Sequence, residues 1–196
     1  MKRAMVRRCR RSAGFTLIEL LIVVAVMGLL AGLMVPRSDP SLHDQLQAAA
    51  QIVVGDLAYG RSLAVTNNSE YRFTFDTAGN RYILKHSGTD AALDPLPDSP
   101  FRSSDDPPDQ QIVVLEELPH VGPTVRIAAV VAEGSASAIV GDVEFGALGA
   151  TGRADETVVW LAAGAGAATR YVPVRINPVT GLATVGAFSA VGPAGE

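Results

Sequence analysis

The chain has almost no cysteine. Cys9 is the only one in 196 residues, which excludes an intrachain disulfide and any cysteine-based zinc site. Histidine is nearly as scarce, and His43, His86 and His120 fall with no metal-ligand spacing. Only 18% of residues are charged and 48% are hydrophobic, so the chain is neither a disordered acidic tail nor a collagen-like repeat. Its length suits one ordinary domain with some residues to spare. Nineteen glycines and twelve prolines favour turns and β-structure over a helical bundle. Acids are missing altogether from residues 1–14, where Lys2, Arg3, Arg7, Arg8, Arg10 and Arg11 give a charge of +6. The rest of the chain carries −10, so the net charge of −4 hides an asymmetry. A basic end on an acidic body is either a nucleic-acid arm or a membrane-topology signal.

The next segment decides between them. Phe15 to Val35 reads FTLIELLIVVAVMGLLAGLMV, an apolar run of 21 residues. As a helix it would rise roughly 31 Å, about the thickness of a bilayer core. The basic flank would hold its N-terminal side in the cytoplasm, leaving the rest of the chain outside the inner membrane. One residue does not suit a plain anchor. Glu19 stands fifth in the run, where an acid costs on the order of 2.5–3.5 kcal/mol at a helix centre and less near its end, and by default marks function.

Gly14-Phe15-Thr16-Leu17-Ile18-Glu19, between a basic leader and an apolar helix, resembles the class III signal of type IV pilins and type II secretion pseudopilins. The resemblance implies that a prepilin peptidase cuts between Gly14 and Phe15, and that Phe15 is then N-methylated. It makes residues 1–14 a cleaved leader, which removes Cys9 from the mature protein. It also assigns Glu19 to assembly, paired with the terminal amine of a neighbouring subunit; a buried carboxylate needs a cation, and cleavage creates one. Pro36 stands where many pilins carry a helix-bending proline.

Beyond the apolar run, Leu42, Leu46, Ala49, Val53, Leu57, Gly60 and Ala64 recur in steps of three and four. This predicts an amphipathic helix, the continuation of the first over 36–66. Ser41 would cap it, with Asp44 three residues on, and Asn67-Asn68 would stop it. The period then changes to two. Tyr71, Phe73 and Phe75 alternate with Arg72 and Thr74, Asp76–Asn80 is a turn, and Tyr82–Leu84 returns, a β-hairpin. Residues 87–110, rich in Pro, Asp and Ser, read as an exposed loop. Further strands are expected at Ile112–Leu115, Val125–Val131, Ala138–Phe145, Thr157–Ala162, Tyr171–Ile176 and Ala183–Val185.

The later half, from Val143-Glu144-Phe145 through Gly149, Gly152 and Thr157–Leu161 to Val174–Ala183, is similar to the head of GspH/FimT-type minor pseudopilins. Leu57–Ala64 (LAYGRSLA) also looks like that family's helix, with Gly60 where alanine is usual. The implied fold is α+β and pilin-like: a long N-terminal transmembrane and amphipathic helix on a β-rich, two-sheet periplasmic head over 67–196. The implied function is a minor pseudopilin of a type II secretion pseudopilus, inserted in the inner membrane. Its implied partners are other pseudopilins and the prepilin peptidase/methyltransferase. The alternative is a FimT-like minor pilin of a type IV pilus system, serving pilus priming or DNA uptake.

No catalytic constellation follows from spacing: no G-x-S-x-G elbow stands in the chain, and no Ser/His/Asp arrangement. The adjacent acids Glu116-Glu117 and Asp155-Glu156 would point to opposite faces of a strand, a solvated edge rather than an acid/base pair. Gly146, Gly149 and Gly152 lack the Lys-Ser/Thr of a phosphate loop and read as a turn. No enzyme and no cofactor is expected, and no metal. Asp105, Asp106 and Asp109 in the 87–110 loop are the nearest thing to calcium ligands, but EF-hand spacing is absent and five prolines explain the segment as extended. Residues 70–196 carry eight bases against sixteen acids, a balance that repels phosphate and speaks against nucleic acid unless Arg153, Arg170 and Arg175 cluster.

Overall fold

The computed structural model describes residues 15–34, 41–98, 102–134 and 137–193. It divides into two units, 1–39 and 40–196. Gly14, the leader and Pro36 lie outside the described residues.

In the first unit, helix α1 runs Leu17–Met34. Thr16 starts it: its Oγ1 accepts the Glu19 N–H at 3.3 Å, and its carbonyl accepts from Glu19 and Leu20. Glu19 is the one charged residue of the helix and sits in its first turn, where an acid is favoured by the helix dipole. Phe15 and the side chains of residues 17–30 are exposed within this unit. A helix that is apolar on every side must be covered by something else, whether lipid or other chains. Among the described residues no helix is long and apolar enough to cross a membrane.

The second unit is the α+β head. Helix α2 spans Leu42–Thr66. Ser41 caps it reciprocally with Asp44: Ser41 Oγ accepts the Asp44 N–H, and the Asp44 carboxylate accepts the Ser41 N–H. The stripe Leu46, Ala49, Val53, Leu57, Gly60 and Ala64 is buried as its period requires. It packs on both of the sheets that follow.

The strands are β1 Tyr71–Asp76, β2 Arg81–His86, β3 Gln110–Val114, β4 Val125–Glu133, β5 Ala138–Ile139, β6 Asp142–Phe145, β7 Glu156–Ala163, β8 Arg170–Ile176 and β9 Ala183–Val185. They form two antiparallel sheets, ordered β3-β2-β1-β6 and β5-β4-β7-β8-β9. Tyr71, Phe73, Tyr82, Leu84, Val143 and Phe145 line the core from the first sheet, and Val159, Leu161, Val172, Val174 and Ile176 from the second. Asn80, at φ 47°, clamps the sheets together. Its side chain donates to Val125 O at 2.8 Å and accepts from Ile127 N at 3.0 Å.

The fold departs from the sequence expectation at three places. Ala138–Phe145 is two strands in different sheets. Val140 N–H bonds to Val130 O of the second sheet, while Gly141 O receives Phe75 N–H of the first, so the chain changes sheet between these two residues. The 87–110 segment is anchored rather than simply exposed. It contains a 3₁₀ turn at Ala91–Leu93, buries Leu96, and has Arg102 bonded to the carbonyls of Leu96 and Pro107 at 3.2 Å each. Glu116 and Glu117 lie in a 3₁₀ turn, Leu115–Glu117, rather than on a strand edge.

Candidate functional site

Of the residues named for processing and assembly, Phe15 and Glu19 are described. They stand at the very start of α1, on either side of the capping residue Thr16. The spacing Thr16-x-x-Glu19 is the sequence signature of a helix start. Helix geometry therefore begins within two residues of the Gly14–Phe15 bond, and Glu19 is carried on its first turn. An amine created at Phe15 would meet a helix N-terminus, where positive charge is disfavoured and a carboxylate is welcome.

The acidic 87–110 loop holds Asp105, Asp106 and Asp109. Among the described residues no three of His, Cys, Asp and Glu stand close enough to hold a metal ion. Asp106 serves the loop itself, its carboxylate accepting the N–H groups of Ile112 at 3.1 Å and Ser103 at 3.3 Å. The arginines considered for nucleic acid all have partners. Arg175 is paired with Glu133 and Glu156, both at 2.8 Å. Arg153 holds Asp142, at 2.5 Å to its carboxylate and 2.6 Å to its carbonyl. Arg170 donates to Thr169 O at 2.8 Å. Arg72, directly across from Glu144 in the β1–β6 register, is bonded to it and lies 3.6 Å from Asp142. These pairs hold both arginines higher than the usual guanidinium range for Arg72 and Arg175. All are partly exposed, so each contributes little stability.

Two polar constellations in the head were not legible in the sequence. In the first, Asp56 is buried on the apolar face of α2 and accepts a hydrogen bond from the buried Tyr82 hydroxyl of β2. Burial pushes the Asp56 carboxyl above its ordinary range, and the Tyr82 bond pulls it part of the way back. Burial, and then Asp56 itself, hold the Tyr82 phenol well above its own range.

In the second, Ser69, His86 and Asp94 form a hydrogen-bonded chain. Ser69 Oγ lies 2.7 Å from His86 Nε2, and His86 Nδ1 lies 2.8 Å from Asp94 Oδ1. Three different pieces of structure supply them: the exit from α2, the last residue of β2, and the residue closing the Ala91–Leu93 turn. The His86 side chain is only 1% exposed, while that of Asp94 is 51% exposed. Tyr71 packs its ring edge-on to the imidazole at 5.1 Å, and Asn67 Nδ2 fixes the Tyr71 hydroxyl at 2.6 Å. Separations of 17 and 8 residues match no linear motif, so only the fold brings these three together.

Residues 9–35 match the family model of the prokaryotic N-terminal methylation motif. The chain therefore carries a type IV pilin-like N-terminus over the segment that holds Gly14, Phe15 and Glu19. Two crystal structures of the Pseudomonas aeruginosa (strain PAO1) type IV minor pilin FimU are similar to it. One is 18% identical, covering 76% of this chain and 98% of FimU, with a TM-score of 0.43. The other is 16% identical, covering 78% and 95%, with a TM-score of 0.44. No curated protein matches the chain.

Proposed function

We propose that this protein is a filament subunit of the type IV pilin and pseudopilin class, and within it a minor pseudopilin of a type II secretion pseudopilus. The observation that carries the proposal is the methylation motif over residues 9–35, joined to a helix that starts at once after Phe15 with Glu19 on its first turn. The prepilin peptidase removes residues 1–14 and Phe15 is methylated. The apolar run stores the subunit in the inner membrane with its basic end in the cytoplasm and its head in the periplasm. Assembly then exchanges lipid for neighbouring apolar helices, a transfer between two apolar surroundings. Direction and register come from the one charged contact available, Glu19 with the amine of an adjacent subunit.

In this role the chain works by assembly and not by turnover. The resemblance of the 143–183 segment to GspH/FimT heads fits both the secretion and the pilus readings, and secretion is preferred here over DNA uptake on the charge of the head. Against DNA uptake stand the excess of acid in residues 70–196 and the use of Arg72, Arg153 and Arg175 in ion pairs.

The test is the intact mass and first residue of the protein extracted from its host membrane. A chain beginning at methylated Phe15 is expected. A chain that begins at Met1, or beyond residue 30, would make this an anchored or secreted β-domain and remove the role given to Glu19. Given the expected start, the head separates the two systems: retention by other minor pseudopilins supports secretion, and salt-dependent DNA affinity supports uptake.

A further inference from the structure

The Ser69–His86–Asp94 chain includes none of the residues named for processing and assembly, and its geometry suits a different use. A carboxylate can only accept, so in the neutral ring His86 Nδ1–H donates to Asp94 and Nε2 is left to accept the Ser69 proton. That is the order of a nucleophile, a general base and a group that orients the base. We propose that Ser69 is an activated nucleophile that takes an acyl group from a small activated ester, with His86 as general base and Asp94 as its positioning residue.

Three features support this over a merely satisfied buried histidine. The first is shielding. The base is closed off from water, while Ser69 is only partly buried. The second is rigidity. Ser69 N–H is held by Ala64 O at 3.0 Å, and Ser87 N–H ties Glu70 O at 2.9 Å. The hydroxyl and the ring are thus presented by fixed backbone on both sides. The third is Gly88. A Cβ there would stand 2.2 Å from Ser69 Oγ, 2.8 Å from His86 Nε2 and 3.3 Å from the Glu70 nitrogen. Those three groups converge on one point, and only glycine leaves their contact intact. The Glu70 N–H belongs to the residue after the nucleophile, a position from which backbone N–H groups serve developing oxyanions.

The step balances without a redox partner. Ser69 Oγ bonds to the carbonyl carbon and its proton passes to His86 Nε2. The ester C–O bond then breaks, and the leaving oxygen takes the proton from the imidazole. The product is an acyl-serine at residue 69 and the free alcohol.

The experiment uses the full chain in detergent with p-nitrophenyl acetate, following nitrophenolate release and locating the acetyl group by peptide mass. A single adduct on Ser69 is expected, absent in Ser69→Ala. His86→Gln should slow its formation by about 100-fold. Asp94→Asn is the variant that keeps the fold in question apart from the chemistry, because Asp94 is half exposed on a loop; it should slow the adduct by about tenfold or more with an unchanged melting temperature. An adduct on Lys85 or the N-terminal amine with none on Ser69 would overturn the proposal. So would Ser69 labelling at the same rate in Asp94→Asn. Neither result bears on pilin-type processing, which is read at residue 15.

Discussion

Tyr82→Phe removes one oxygen from the core and leaves Asp56 buried without its hydroxyl donor. The two residues are 1% and 5% exposed, so water cannot take the place of the lost bond. The size of the loss depends on the charge of Asp56. A hydrogen bond to an ionised group contributes about 1.5–3 kcal/mol, and one between neutral groups about 0.5–1.5 kcal/mol. The folded-state Asp56 carboxyl is raised above its unfolded value, chiefly by burial. Its contribution to stability is therefore fully present below the unfolded pKa and is lost as pH rises through the folded one. Tyr82 limits that loss, because its bond favours the charged form. Without the hydroxyl the folded carboxyl moves higher still, and the decline of stability with pH becomes deeper. Thermal unfolding of wild type and Tyr82→Phe, at pH 3 and pH 7, measures both effects. At neutral pH the melting point should fall by about 3–12 °C, using roughly 2–4 °C per kcal/mol for a chain of this size. At pH 3 the fall should be about half of that or less. Equal losses at the two pH values would count against the coupling of the Tyr82 bond to the charge of Asp56. A more stable Phe variant at pH 7 would refute the hydrogen bond itself.

Gly60→Ala sets two effects against each other. Alanine favours the helix by about 1 kcal/mol, but its Cβ would stand 2.4 Å from Phe73 Cε2, an overlap that costs about 1–3 kcal/mol in a packed core. A net loss of about 1 kcal/mol in a denaturant melt is expected, and a stabilised variant would show that the Phe73 ring can move aside. Gly14→Leu should leave an unprocessed precursor, seen as a band that keeps residues 1–14; normal maturation would rule out the class III signal. Glu19→Ala should be cleaved like the wild type but fail to enter filaments sheared or pulled down from the host. If it is incorporated normally, the carboxylate has only the local role of an acid in a first helical turn.

Elements whose side chains repeat with a fixed period were legible in the sequence. The α2 stripe could be read because burial on one face imposes steps of three and four, and the β1–β2 hairpin because alternation survives on both of its strands. The same rule explains the missed sheet crossing. Ala138–Phe145 has a β-prone composition throughout, and period says which residues face inward but not which sheet they join. Val140 and Gly141 commit to different sheets only through their neighbours Val130 and Phe75. Asn80 looked like any residue of a polar turn, because a turn asparagine and one that binds a second sheet differ only in what stands opposite.

Buried polar residues set the limit most sharply. Asp56 breaks the apolar stripe of α2, and one helix alone gives no reason to bury it; the reason is Tyr82, 26 residues away on another element. Ser69, His86 and Asp94 are harder still, since each has an ordinary explanation within its own segment: a residue after a helix, a strand end, a polar loop. A catalytic spacing can be recognised in sequence when one local element holds its members, as a strand–turn–helix elbow does. Here the members come from three elements, and the distance that matters, 2.7 Å from Ser69 Oγ to His86 Nε2, depends on Gly88 having no side chain to separate them. The glycine is therefore the one residue whose replacement should part the serine from the histidine while leaving both in place. Gly88→Ala and Ser69→Ala should lose reactivity toward the ester together. A Gly88→Ala protein that still labels at Ser69 at the wild-type rate would show that the contact between hydroxyl and imidazole is not what makes the serine react.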